Sequence, residues 1–153
     1  MIVYRLCKQK YINDLSGHGA EMNGGRWNGR GNPALYTSGS RALAVLEIAV
    51  HVPFGILPTN YYMMAIEMAK GFTVTKIDIP ELPENWNRNP PIRATQYLGD
   101  DFLKENKNLI LQVPSATVTG EFNYIFNPRH PEFKSVKIIM TDPFEFDSRL
   151  FKR

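Results

Sequence analysis

The sequence predicts an α+β protein, with residues 1–153 forming a single domain around a mostly antiparallel, twisted sheet. A chain of 153 residues, 43% of them hydrophobic, is long enough for one compact core and short for two. Segments rich in β-forming residues are short and outnumber the helical ones, and they do not alternate regularly with helices. The glycine-rich region near the N-terminus lacks the GxGxxG and P-loop patterns, which argues against a doubly wound nucleotide-binding fold.

The N-terminal half predicts two short strands and one clear helix. The strands are expected at 2–6 and 34–37, with a short helix or turn at 9–15 and a glycine-rich loop after it. A helix is predicted over 41–51, with Ser40 as its N-cap and Pro53 preventing its continuation. Apolar residues cover most of its circumference, so we expect it to be largely buried. Glu47 is the lone acid in this helix, and a buried carboxylate needs a polar cavity or a cation beside it.

The C-terminal half predicts more strands and a second helix. Residues 61–68 and 72–79 favour an antiparallel pair joined by a turn at Gly71. Residues 92–106 are amphipathic enough for a helix, which Gly99 interrupts. Three further strands are predicted at 109–113, 136–140 and 144–147.

Composition limits the classes of partner. The formal net charge is +3 and the basic residues are scattered, which gives weak support for nucleic-acid binding and suits a pocket for a phosphate-bearing small molecule equally well. No signal peptide and no run of membrane-spanning length is present, and the single cysteine, Cys7, excludes an internal disulfide. We expect a cytoplasmic protein without a membrane association.

Two common site types find little support. The histidines at 18, 51 and 130 are widely separated and show no paired spacing, so no metal site is expected. Ser115, His130 and Asp147 would supply the residue types of a catalytic triad, but the sequence has no nucleophile elbow.

Four residues suggest an anion-binding cleft. Arg26 lies among glycines, and a guanidinium binds phosphate or carboxylate oxygens in a bidentate manner. Arg5, on a strand that should be buried, needs an anionic partner, either a ligand or a structural ion pair. Tyr36 and Glu47 follow on a strand and a helix and can face the same cleft, where a carboxylate can stabilise cationic charge at a sugar carbon.

Polar residues near the C-terminus allow either binding or local roles. Ser115 and Asn123 offer a hydroxyl and an amide to a substrate, or could satisfy backbone groups in turns. The Asn-Pro and His-Pro steps within 127–133 indicate a structural segment.

Taken in order, these motifs resemble the RES-domain family, the toxins of bacterial RES–Xre toxin–antitoxin modules. The matching motifs are Tyr4-Arg5, Gly24-Gly25-Arg26-Trp27-Asn28, Tyr36-Thr37-Ser38, Glu47, Pro114-Ser115, Asn123-Tyr124, the segment from Asn127 to Phe133, and Phe146-Asp147-Ser148-Arg149-Leu150. The resemblance spans nearly the whole chain. Phe102, where tryptophan would be expected, is a mild departure that affects packing.

The resemblance implies a fold similar to ADP-ribosyltransferases and an activity that destroys NAD at its nicotinamide glycosidic bond, by hydrolysis or phosphorolysis. It also implies an Xre-type helix-turn-helix antitoxin as partner, with any DNA contact made through that antitoxin. NAD would be a substrate, and no cofactor is implied. Two alternatives stay open: a mono-ADP-ribosyltransferase acting on a protein, and a regulator that binds nucleic acid without catalysis. A homodimer is also compatible with the sequence.

The resemblance further implies roles for single residues. Arg26 and Arg5 would grip the pyrophosphate, and Tyr36 would stack on nicotinamide or the adjacent ribose. Glu47 would stabilise the oxocarbenium-like ribose, while Ser115 and Asn123 would hold ribose or amide groups. Arg26, Tyr36, Glu47 and Ser115 are thus the expected catalytic residues, and Arg5, Arg26, Tyr36 and Asn123 the expected substrate-binding ones.

Overall fold

One seven-stranded sheet organises the fold in a computed structural model that describes residues 1–152. The strands are β1 Ile2–Lys8, β2 Leu35–Ser38, β3 Tyr61–Glu67, β4 Val74–Lys76, β5 Ile110–Pro114, β6 Phe122–Phe126 and β7 Lys137–Phe144. They lie in the order β4-β5-β6-β2-β1-β3-β7. The β4–β5 pair is parallel and the other pairs are antiparallel, which confirms the predicted α+β fold.

Within residues 1–152, three α-helices and four 3-10 helices accompany the sheet. The α-helices are α1 His18–Asn23, α2 Arg41–Ala49 and α3 Arg93–Glu105, and the 3-10 helices are Gln9–Tyr11, Ile79–Glu81, Pro131–Ser135 and Ser148–Leu150. Ser40 caps α2 as predicted, since its Oγ accepts a hydrogen bond of 3.1 Å from the backbone N–H of Leu43. The glycine-rich sequence around α1 predicted only a loop, so this helix was missed.

The expected burial of α2 is wrong. Only Leu43 and Ala44 are buried, while the second half of the helix is partly exposed and Val50, just after it, is 57% exposed. The buried side packs against β1 and β3 in an apolar cluster with Leu6 and Met63. The other side borders a cleft, so the apolar pattern of this helix does not report complete burial.

Gly99 in α3 has a packing function that explains its position in a helix. A Cβ atom at this position would lie 1.7 Å from the carbonyl oxygen of Trp27. Because glycine has no Cβ, α3 can approach the backbone of the Gly24–Asn28 loop closely; any other residue at position 99 would prevent this approach. The buried ring of Trp27 packs with Phe102 and Leu103 from the same helix.

The predicted pairing of 61–68 with 72–79 is wrong. β3 lies between β1 and β7, whereas β4 is only three residues long and pairs in parallel with β5 at the opposite edge of the sheet. Two β-rich segments separated by a glycine look like a hairpin locally. Their pairing is decided by which partners bury their side chains, and that information is not local.

Two other strand predictions also need correction. The segments 136–140 and 144–147 were predicted as separate strands, but β7 runs continuously through Pro143 and ends at Phe144. This is tolerated because β7 pairs only with β3 and is an edge strand, where a missing N–H leaves no central ladder incomplete. β6, in the interior of the sheet between β5 and β2, was not predicted.

The contact between Gly99 and Trp27 yields a stability prediction. Gly99→Ala should lower the free energy of unfolding by about 3 kcal/mol, because a backbone carbonyl must move to make room. Gly19→Ala in α1 is the matched control, since nothing lies within 4 Å of its added Cβ. The control should change stability by less than about 1 kcal/mol, in the stabilising direction. Urea unfolding of both variants measures the difference, and equal midpoints would contradict the proposed close packing.

Candidate active site

A cleft of about 1150 Å³ lies between the Gly24–Asn28 loop, the partly exposed side of α2 and the ends of the central strands. Its size exceeds the roughly 300–1,000 Å³ usual for small-ligand pockets, so a large ligand can enter. Five of the six predicted site residues line it: Arg5, Arg26, Tyr36, Glu47 and Asn123. The sixth, Ser115, is buried and lies outside the cleft lining.

The carboxylate of Glu47 is held by three side-chain donors. Asn123 Nδ2 and Ser115 Oγ donate to Oε1 over 2.7 and 2.8 Å, and Thr117 Oγ1 donates to Oε2 over 3.2 Å. A carboxylate has about four acceptor sites, so Glu47 keeps the capacity to accept from a ligand as well. Its position in the cleft is therefore fixed, and its negative charge faces a space that a substrate can occupy.

A second layer of hydrogen bonds orients these donors. Ser115 Oγ accepts from the backbone N–H groups of Thr117 and Val118, over 3.0 and 3.1 Å, which directs its own proton toward Glu47. Ser38 Oγ donates to Asn123 Oδ1 over 2.8 Å, which leaves the Asn123 amide nitrogen facing Glu47. Sequence reasoning missed Ser38 and Thr117. Ser38 and Asn123 lie together because they pair with each other across the β2–β6 ladder.

Arg26 lies in the cleft with part of its hydrogen-bonding capacity free. Its Nη1 donates to the backbone carbonyls of Trp86 and Arg88 over 2.7 and 2.8 Å. The Nε and Nη2 groups, with three N–H donors, make no side-chain hydrogen bond within residues 1–152 and can form a bidentate pair with an anion. Burial lowers the pKa of Arg26, and the nearby negative charge of Glu47 raises it in part.

Tyr36 supports the Arg26 loop through its hydroxyl group. The hydroxyl donates to Asn28 Oδ1 over 2.7 Å and accepts from the Trp27 N–H over 2.9 Å. Burial of the hydroxyl raises the pKa of Tyr36 far above its ordinary value, so the group stays a neutral phenol. Tyr36 also lines the cleft, where its aromatic ring can contact a planar ligand group.

Asp100 and Gln96 on α3 fix the same loop, and sequence reasoning missed both. Asp100 Oδ1 accepts from the Gly29 N–H over 2.9 Å, and Gln96 Nε2 donates to the Gly25 carbonyl over 3.0 Å. Both face the loop because α3 approaches it at Gly99. The sequence signal that could have found them is the amphipathic pattern of α3, which has polar residues on the side that faces the loop.

Of the two expected partners of Arg5, the structural ion pair is not formed within residues 1–152. Its Nη1 donates to the backbone carbonyl of Asp14, and no carboxylate pairs with it within residues 1–152. Arg5 also lines the cleft. Arg5 therefore contributes positive charge to the cleft while it anchors the segment that follows β1.

Among residues 1–152, neither a catalytic triad nor a metal-binding cluster is formed. Ser115, His130 and Asp147 do not form a triad, because Ser115 Oγ donates to Glu47 while Asp147 pairs with Arg149. Within residues 1–152 no group of three or more His, Cys, Asp or Glu side chains could hold a metal ion. The same part of the chain has no helix that is both long and apolar enough to cross a membrane.

The segment after β6 is structural, as predicted. Asn127 is 1% exposed, and its Nδ2 donates to the Leu103 carbonyl and to Asn106 Oδ1 at the end of α3. His130 Nδ1 accepts from the backbone N–H of Glu132. This segment braces the helix that carries Asp100.

The chain is similar to known proteins over nearly its full length. The family described as "RES domain" matches residues 2–147. A protein named "Toxin Res" from Photorhabdus laumondii is 38% identical over 99% of this chain and 98% of its own length. Another "Toxin Res", from Pseudomonas putida, is 39% identical over 99% of this chain and its complete length. A "Prs ADP-ribosylating toxin" from Sphingobium sp. is 36% identical over 92% of this chain and 88% of its own length.

A solved structure has the same fold. In the crystal structure of the M. tuberculosis MbcT–MbcA toxin–antitoxin complex, one chain superposes with a TM-score of 0.73 at 16% identity, over 98% of this chain and 86% of that one. The family match and the relatives of 38% and 39% identity confirm the resemblance inferred from the motifs. This chain therefore belongs to the RES-domain family, as a relative of the Res toxins.

Proposed function

We propose that this protein is an enzyme that cleaves the bond between nicotinamide and ribose in NAD and transfers the ADP-ribosyl group to water or phosphate. The observation that carries the proposal is the Glu47 carboxylate, held by three donors in a large cleft that also contains Arg26. This combination suits a substrate with an anionic diphosphate and a cationic reacting centre.

Glu47 is the proposed catalytic carboxylate. As the C1′–N bond breaks, its electron pair goes to the nicotinamide ring nitrogen, which becomes neutral, and positive charge develops on the ribose. A fixed carboxylate stabilises that charge, and no reorganisation is needed at the moment of reaction. The oxygen of water or phosphate then bonds to C1′, and in hydrolysis the water proton is released to solvent.

Arg26 is the proposed anion-binding residue. Its free Nε and Nη2 donors can pair with diphosphate oxygens while Nη1 stays on the carbonyls of Trp86 and Arg88. Arg5 adds charge from β1 on the same cleft. Partial burial makes such charge-assisted bonds stronger than they would be in water.

Tyr36, Ser115 and Asn123 support these groups. The Tyr36 ring offers a surface for nicotinamide or ribose. The resemblance assigned Ser115 and Asn123 to ribose or amide groups of the substrate, whereas their contacts favour orientation of Glu47. We assign Ser115 a positioning role, because it is outside the cleft lining. Asn123 lines the cleft, and we assign it contacts with both Glu47 and the substrate.

Transfer of ADP-ribose to a protein is the second candidate, and the name of the Sphingobium relative, an ADP-ribosylating toxin, favours it. Both reactions begin with the same loss of nicotinamide. Incubation with NAD labelled in the adenosine part separates them, because free ADP-ribose or its phosphate ester indicates small acceptors and a labelled protein band indicates transfer.

A neutralising protein is part of the proposed function. Relatives are named toxins, and the structural neighbour comes from a toxin–antitoxin complex. We propose an Xre-type antitoxin that covers the cleft and makes any DNA contact. Co-purification with the product of the adjacent gene tests this, and an active protein unaffected by that product would contradict it.

Glu47→Gln should lower kcat by about a hundredfold to a thousandfold, because the amide keeps the shape and loses the charge that faces the reacting ribose. Nicotinamide release from NAD, followed by chromatography with and without phosphate, measures the effect. Glu145→Gln is the matched control, since Glu145 is an exposed acid outside the cleft, and it should keep full activity. Equal activity of both variants would place the reaction elsewhere, and no NAD loss by the unmodified protein would refute the proposed function.

Arg26→Ala should act mainly on substrate binding. Loss of hydrogen bonds to a charged group costs about 1.5–3 kcal/mol, so we expect KM for NAD to rise about 10- to 150-fold. Arg93→Ala, an exposed arginine at the start of α3, is the control and should leave KM unchanged. Steady-state kinetics decides, and an unchanged KM in Arg26→Ala would remove Arg26 from the substrate site.

Asn123→Asp should lower kcat more than Asn123→Leu does. Both variants remove the amide donor that holds Glu47 Oε1, and only the aspartate adds a second carboxylate within hydrogen-bond distance of Glu47, where like charges repel. Nicotinamide release by both variants measures the difference, and equal rates would exclude an action of Asn123 through Glu47.

A further inference from the structure

Residues 83–91, named the strap here, connect the 3-10 helix Ile79–Glu81 to α3 and border the cleft. Asn87, Asn89, Pro90 and Pro91 contribute to its lining. Neither the family motifs nor the chemistry proposed above uses these residues.

The strap is fixed beside the anion-binding residue. Arg26 Nη1 donates to the carbonyls of Trp86 and Arg88, and the rings of Trp86 and Trp27 pack with centroids 6.3 Å apart. Two prolines at its end restrict the backbone further. Side chains on a restricted segment lose little backbone freedom when they bind a ligand.

The amides of Asn87 and Asn89 differ from the other amides of the cleft. The side chains of Asn23, Gln96 and Asn123 are each hydrogen-bonded to protein atoms. Asn87 and Asn89 make no side-chain hydrogen bond within residues 1–152, and both are exposed to the cleft and solvent. Each offers one carbonyl acceptor and two N–H donors to a ligand.

We propose that Asn87 and Asn89 are specificity-determining residues that bind the donor–acceptor edge of a nitrogen-containing ring in the dinucleotide. This inference rests on the proposed function. Asparagine matches such an edge with paired hydrogen bonds, as it does for adenine in nucleic acids. Both rings of NAD lie one ribose away from the diphosphate, so either the adenine amino edge or the nicotinamide carboxamide can supply it once Arg26 holds that diphosphate.

Substrate analogues distinguish the two sources. The unmodified protein, Asn87→Ala, Asn89→Ala and the double variant are assayed with NAD, nicotinamide hypoxanthine dinucleotide and nicotinic acid adenine dinucleotide. We expect the unmodified protein to prefer NAD over at least one analogue in kcat/KM, and the double variant to lose about fivefold to tenfold of that preference. If the preference for NAD over the hypoxanthine analogue is lost, the bound group is adenine. If the preference for NAD over the nicotinic acid analogue is lost, the bound group is the carboxamide.

A control variant and a binding measurement separate this inference from the proposed function. Glu84→Gln, on the strap but outside the cleft lining, should keep the preference of the unmodified protein. NAD binding is measured by calorimetry in the Glu47→Gln background, where turnover is expected to be slow. Tight binding that Asn87→Ala and Asn89→Ala do not weaken, or a preference unchanged in the double variant, overturns the inference alone. Absence of both NAD binding and NAD loss overturns the proposed function with it.

Discussion

The buried side chain of Asn28 is the interaction on which the candidate site depends. Asn28 is 0% exposed; the two N–H groups of its Nδ2 are shared among three backbone carbonyls, and its Oδ1 accepts from the Tyr36 hydroxyl. A buried amide without partners would destabilise the fold, so this set of bonds permits one position of the loop on the sheet. Arg26 precedes Asn28 by two residues, and its placement over the cleft follows from that position.

The register of β2 joins the two sides of the cleft. Tyr36 holds the Arg26 loop, and two residues later Ser38 pairs with Asn123 on β6, which donates to Glu47. Side chains alternate between the two faces of a strand, so Tyr36 and Ser38 share a face. A shift of the β2 register by one residue would move both side chains to the opposite face. Four residues of one central strand thus place the Arg26 loop and the Glu47 carboxylate on the same face of the sheet.

The charges of the cleft are arranged for function at some cost in stability. Arg26 is partly buried, and burial lowers its pKa, whereas the Glu47 charge acts in the opposite direction. Neither Arg26 nor Glu47 forms a direct ion pair within residues 1–152. Backbone carbonyls hold Arg26, and neutral side-chain donors hold Glu47. Both charges remain available to a ligand, which is the condition for electrostatic preorganisation. Charged groups kept without a direct ion pair in this way are expected at functional sites.

The sequence by itself determined the fold class, the capped α2 helix and the family, because local periodicity, an N-cap serine and ordered motifs are all written along the chain. It also identified Arg26, Tyr36, Glu47 and Asn123 as residues of one cleft. Only the tertiary structure decided that β4 pairs with β5, that Ser115 lies behind Glu47, and that Gly99 admits the Trp27 backbone. These facts depend on contacts between residues distant in sequence, where burial and hydrogen-bond satisfaction select among pairings that local propensity leaves equal.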